Sequence, residues 1–124
     1  MTVHFGDGTS QTSAATSFTA NLLCKGWVNF NGQGSVSIRS SSGVNSITDN
    51  GTGNYNINFP SMGDANYCTV GSHNIQSVNN RVWGTDNNNY GATSVRITTE
   101  DAAQGYGAGS SRVDQHRFCL AFFT

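Results

Sequence analysis

The chain has 124 residues, 10% of them charged, with six Lys and Arg against seven Asp and Glu for a formal net charge of -1. That length supports one modest core and not two, and so weak a charge offers no field to draw in nucleic acid or an anionic membrane. Gly, Ser, Thr and Asn make up 58 residues, while Leu numbers three and Lys and Glu one each, so helix is disfavoured nearly everywhere.

The remaining apolar residues are mostly Val, Ile, Phe, Tyr and Trp, whose branched or flat side chains suit a pleated, half-buried surface. An aromatic content of 10% and a near-neutral charge are not the signature of a disordered chain. No run approaches the about 18 apolar residues of a membrane span, and Met1 to Gly8 has neither the basic start nor the apolar stretch of a secretory signal. Synthesis in a cytoplasm, with no membrane insertion, is the expectation.

Residues 1–23 are polar, with isolated Val3, Phe5 and Phe18 and a Gly6-Asp7-Gly8 turn, and are expected to form a loosely ordered arm or connector. Residues 24–124 are expected to form the β domain. Cys24, Gly26, Val28 and Phe30 alternate with Lys25, Trp27 and Asn29, which marks the first strand. Asn31-Gly32-Gln33-Gly34 then turns the chain into a second strand around Val36 and Ile38. Val44 to Thr48 and the alternating Tyr55, Ile57 and Phe59 flank Asp49-Asn50-Gly51-Thr52-Gly53, a second hairpin closed by Pro60.

Tyr67 to Ser72 is a further extended run, Asn79 to Thr85 a weaker one, Asp86 to Gly91 a polar loop, and Val95, Ile97 and Thr99 a clear strand. In the last segment Phe118, Leu120 and Phe122 alternate with Cys119, Ala121 and Phe123, so both faces are apolar. Such a strand belongs in the middle of a sandwich or at a subunit interface. Phe118, Leu120, Phe122 and Phe123 are therefore candidate oligomer-interface residues. Seven or eight short strands in this order predict an all-β fold, a small antiparallel β-sandwich or jelly-roll-like domain.

Catalytic patterns are sparse. The acids Asp7, Asp49, Asp64, Asp86, Asp101, Asp114 and Glu100 are nearly all expected in turns, several beside Gly or Asn, where a carboxylate serves the local backbone. Asp49-Asn50-Gly51 lacks the further acids of a calcium loop, and Asn50-Gly51-Thr52 reads as turn chemistry before glycosylation. His4, His73 and His116 are far apart, and Cys24, Cys68 and Cys119 form no CxxC unit. No metal or cofactor is expected, and the thiols are expected to be buried small hydrophobes. Arg81, Trp83, Asn87, Asn88, Asn89 and Tyr90 bring a cation, aromatic faces and amides together in sequence. They are either a ligand- or receptor-binding cluster or a core Trp83 with a solvated Asn run.

Several blocks resemble a known family. Phe5 to Ala15, FGDGTSQTSAA, resembles the segment that introduces the distal domains of bacteriophage tail fibres. Lys25 to Gly32, KGWVNFNG, is similar to the opening of a domain in fibres of marine and cyanobacterial phages, and Val44 to Tyr55 and Asp64 to Tyr67 follow in the same order. The resemblance implies a non-enzymatic virion protein at the particle surface, working as a homotrimer, and the low-charge N-terminal arm is expected to attach it to the particle. Its partners would be other fibre, tail or capsid proteins and, at a fibre tip, a host surface glycan or protein. Family members are usually appended to a long shaft, whereas this chain starts at Met1, so capsid decoration as a cement or head-fibre protein is the alternative. A glycan-degrading enzyme would need two convergent acids that the sequence does not place.

Overall fold

The computed structural model describes residues 2–8, 10–11, 24–74, 81–101 and 112–124. Most of the expected arm lies outside them. Within the described part, β1 (Val3–His4) and β2 (Ser10–Gln11) pair as a small antiparallel ladder, and Gly8 N–H donates to Phe5 O at 3.1 Å in the turn between them. The domain itself is built from β3 (Cys24–Asn31), β4 (Ser37–Ser42), β5 (Ser46–Asp49), β6 (Asn54–Asn58), β7 (Cys68–His73), β8 (Arg81–Tyr90), β9 (Ser94–Asp101) and β10 (Phe118–Phe123). They form two four-stranded antiparallel sheets, ordered β4-β3-β10-β7 and β5-β6-β9-β8, packed as a sandwich.

Each core strand contributes one face, as the period-2 alternation requires. In the first sheet Phe118 lies opposite Phe30 and Leu120 opposite Val28; in the second, Ile97 lies opposite Tyr55 and Val95 opposite Ile57. These eight side chains, with Phe59, Tyr67 and Phe122, are the buried apolar core. Six of those eleven are aromatic, so the interior is filled by rings meeting edge to face or tilted. Phe30 and Tyr55 meet at 5.3 Å, Phe59 and Phe122 at 5.0 Å, and Phe59 and Tyr67 at 5.5 Å between centroids. With three Leu in the whole chain, aromatic volume substitutes for aliphatic.

A polar pin joins the two sheets. The Tyr55 hydroxyl, on β6, donates to Asp114 Oδ1 at 2.8 Å and lies 3.0 Å from Gly32 O in the β3–β4 turn. The same carboxylate oxygen accepts the Gly53 N–H at 2.8 Å. Gly53 is required there: its φ is +60°, and a Cβ would stand 2.5 Å from Thr99 O. Thr99 in turn donates its hydroxyl to Val113 O, so the segment before β10 is stitched to β9 and to the β5–β6 turn. Burial, then the bond and the charge of Asp114, push the Tyr55 phenol far above its ordinary range.

Two expectations are corrected. The run from Asp86 to Tyr90 is not a loop between strands but part of β8, with a register shift against β9 between Thr85 and Tyr90. The strand resumes because Tyr90 is anchored: its ring stacks on Tyr67 at 4.6 Å and its hydroxyl donates to Tyr67 O at 2.7 Å. The thiols are also not all interior, since Cys24 and Cys68 are exposed and Cys119 is half-buried, all three free. Cys24 and Cys68 begin β3 and β7, at one end of a sheet face that nothing described covers.

Tyr55→Phe removes the pin's donor while leaving the ring, and should lower stability by about 1–3 kcal/mol in a urea melt at neutral pH. The sign of the pH effect follows from the raised phenols of Tyr55 and Tyr67. Stability should be insensitive to these groups below about pH 10 and fall above it, as the unfolded chain loses phenolic protons that the folded chain retains. The decline should be shallower in Y55F.

Candidate functional site

The expected ligand cluster on β8 does not converge. Trp83 turns inward, edge-on to Phe118 at 5.5 Å, and Tyr90 packs on Tyr67 and bonds Thr69 at 2.9 Å. Arg81 is half-buried, its Nη1 without a hydrogen-bond partner. Asn89 donates to Asp86 Oδ2 at 2.8 Å, and only Asn87 and Asn88 stand out in solvent. The aromatic pair belongs to the interior and the amides to an exposed bulge. Asp86 organises that bulge by accepting from Asn89 and from the Asn88 N–H. These bonds, helped by Arg96 3.8 Å away, hold its carboxyl below the usual range.

Three further acids have structural duties. Asp49 accepts the Gly51 N–H at 2.9 Å, Asp64 the Asn66 N–H at 2.8 Å, and Asp114 belongs to the Tyr55 pin. Glu100 and Asp101 are buried neighbours on β9, whose alternation aims them to opposite faces. Among the described residues no group of three His, Cys, Asp or Glu could hold a metal ion. His116 lies beside Arg39, and His73 stacks on Phe118. No helix among the described residues is long and apolar enough to cross a membrane.

What the structure does assemble is the outer face of the β4-β3-β10-β7 sheet. Phe118, Leu120 and Phe122, expected at an oligomer interface, are instead 0–2% exposed between the two sheets of a single chain. They have no surface left to offer a partner, and of the expected set Phe123 alone is open, at 40%. The residues between them carry the outward face. Ala121 sits opposite Trp27 on one side and Val70 on the other; Cys119 sits between Asn29 and Ser72, and Phe123 between Cys24 and Cys68.

Trp27 is 40% and Val70 51% exposed. With Gly71, Ser72, Cys119 and Ala121 they line a shallow apolar groove of about 420 Å³. Lys25 and Arg39 stand at the rim of this sheet, and its centre carries no ionised group. The opposite outer face, on the β5-β6-β9-β8 sheet, is a hydrogen-bonded polar lattice. Asn56 Oδ1 accepts from Asn50 at 2.9 Å and from Arg96 at 3.1 Å, and Asn58 donates to Ser46 and Thr48 at 3.0 Å. One side of the sandwich is thus satisfied in water and the other is not.

The sequence signal for that face was the two-sided apolarity of the last strand, together with Trp27 on the odd-numbered side of β3. No protein-family model, curated protein or solved structure matches this chain.

Trp83 and Asn88 separate a core role from a surface one. Trp83→Ala should cost about 2–4 kcal/mol in denaturant melts, because it opens a cavity beside Phe118. Asn88→Ala should change stability by less than about 0.5 kcal/mol.

Proposed function

We propose that this chain is a non-enzymatic structural module of a bacteriophage virion, of tail-fibre type, which docks on other virion proteins through the outer face of its β4-β3-β10-β7 sheet. The observation that carries the assembly role is the exposed row of Trp27, Ala121 and Val70 with Phe123 beside it, in contrast to the hydrogen-bonded Asn50, Asn56, Asn58 and Arg96 on the exterior of the partner sheet. Apolar side chains gathered on one flat face mark an interaction surface more often than scattered ones do.

The virion setting is supported by the ordered sequence blocks KGWVNFNG, VNSITDNGTGNY and DANY. In the fold they fall on β3, on the β5–β6 hairpin and on the approach to β7. The non-enzymatic reading is supported by the local backbone and structural duties of Asp49, Asp64, Asp86 and Asp114. Contact with a host glycan or protein, where the module sits at a fibre tip, would fall to the exposed bulge at Asn87 and Asn88, not to the interior Trp83.

Mass spectrometry of purified particles, with antibody labelling under the electron microscope, tests this. The chain should be found as a stoichiometric component on the tail fibres. Labelling of the head would replace the fibre assignment by capsid decoration, and absence from particles would overturn the virion reading. Trp27→Lys, at an exposed position that spares the core, should reduce incorporation at least tenfold.

A further inference from the structure

The two four-stranded sheets have four edge strands among the described residues: β4 and β7 in one, β5 and β8 in the other. An open edge presents a row of unpaired N–H and C=O groups, and chains that stay single blunt it with charge, proline, bulges or short strands. Three of these edges carry such devices. β4 contains Arg39 and shifts register against β3; β5 has four residues and ends on Asp49; β8 contains Arg81 and Asp86 and is interrupted between Thr85 and Tyr90.

β7 has none of them. Its sequence, Cys-Thr-Val-Gly-Ser-His, holds no Lys, Arg, Asp, Glu or Pro, and it pairs with β10 in unbroken register over all six residues. The Asn74 N–H continues the ladder by donating to Arg117 O at 3.0 Å. Bonds in an antiparallel ladder alternate along each strand, so counting back from Asn74 places Ser72, Val70 and Cys68 on the β10 side. The main-chain groups of Thr69, Gly71 and His73 then point away from the sheet. Among the described residues no strand pairs with that side of β7.

We infer that β7 is the edge through which two copies of this chain join, antiparallel about a two-fold axis, so that two four-stranded sheets continue as one. The inference rests on the assembly role proposed above and adds to its outer face a second contact, between copies, along the edge of the same sheet. A second copy is the occupant that β7 fits by charge. In a two-fold pairing the strand meets itself, and any fixed charge within it would be brought near its own sign. A partner recognised by opposite charge would find nothing on this strand to read.

Size sets the strength. Six residues make a ladder of about 20 Å, a strip of roughly 200 Å² on each copy, against the about 800 Å² per partner of a standard interface. The free pair is therefore weak, and it tightens where copies are held close together on a particle.

Sedimentation and amide hydrogen exchange on the whole chain test the inference, with two variants. Val70→Lys places on the edge the charge that the other edges carry, at a half-exposed position. Trp27→Ser alters the outer face two strands away. Expected is a concentration-dependent dimer in which the amides of Thr69, Gly71 and His73 exchange roughly fivefold or more slowly at about 1 mM than at about 10 µM. V70K should remove both effects and W27S neither. A chain that stays monomeric, or that associates with these three amides unprotected, overturns the inference. If the chain is nonetheless a component of purified particles, the virion reading stands and the edge contact alone falls.

Discussion

A β-strand has two faces, and in a two-sheet sandwich only one of them can be buried by the chain's own fold. β10 lies between β3 and β7 with Phe118, Leu120 and Phe122 filling the core, and its other face is Cys119, Ala121 and Phe123. Among the described residues no strand or turn covers that second face. The exposed Trp27 and Val70, brought beside Ala121 by the register of β3 and β7, follow from the same placement. A strand apolar on both sides, set in the middle of a sheet, is thus the physical ground for the assembly role we propose.

The rest of the fold holds that strand in place. Phe30 and Val28 meet β10 within the sheet, Phe59 and Trp83 meet it from across the sandwich, and the Asp114–Tyr55 pin fixes the segment that leads into it. A domain with one Glu, one Lys and three Leu has few ion pairs or aliphatic layers to rely on. Aromatic edges and buried hydroxyls take their place. Tyr55, Tyr67 and Tyr90 each use the ring to pack and the hydroxyl to bond the main chain or a side chain across the fold.

Alternation made most of the fold legible from sequence. The two hairpins, the inward face of Gly26, Val28 and Phe30 on β3, the strand around Ile97 and the central last strand are all readable, because each depends on neighbours within a few residues. The bulge that turns Cys24 to the other face is not. What failed depends on distant partners. Tyr90 looks like a loop residue until Tyr67, 23 positions earlier, is seen to receive it. Asp114 looks like one more turn aspartate until it is found beneath Tyr55, 59 positions away. In β10 period 2 separates the faces but cannot say which turns inward when both are apolar, so of the expected interface residues Phe118, Leu120 and Phe122 fall in the core and Phe123 alone lies open. The contrast among the four edges was invisible for a simpler reason: which strands are edges is a property of sheet order.

The most direct test of the proposed assembly role compares the isolated chain with the chain in its particle. Hydroxyl-radical footprinting reads side-chain exposure at Trp27 and Phe123, both 40% open in the single chain. Oxidation of both in the isolated protein at low concentration, with severalfold protection in the particle while Phe30 and Phe118 stay unlabelled in each, is the predicted result. Equal labelling of Trp27 and Phe123 in the two states would contradict the account, since the face that the fold leaves open would then have no partner.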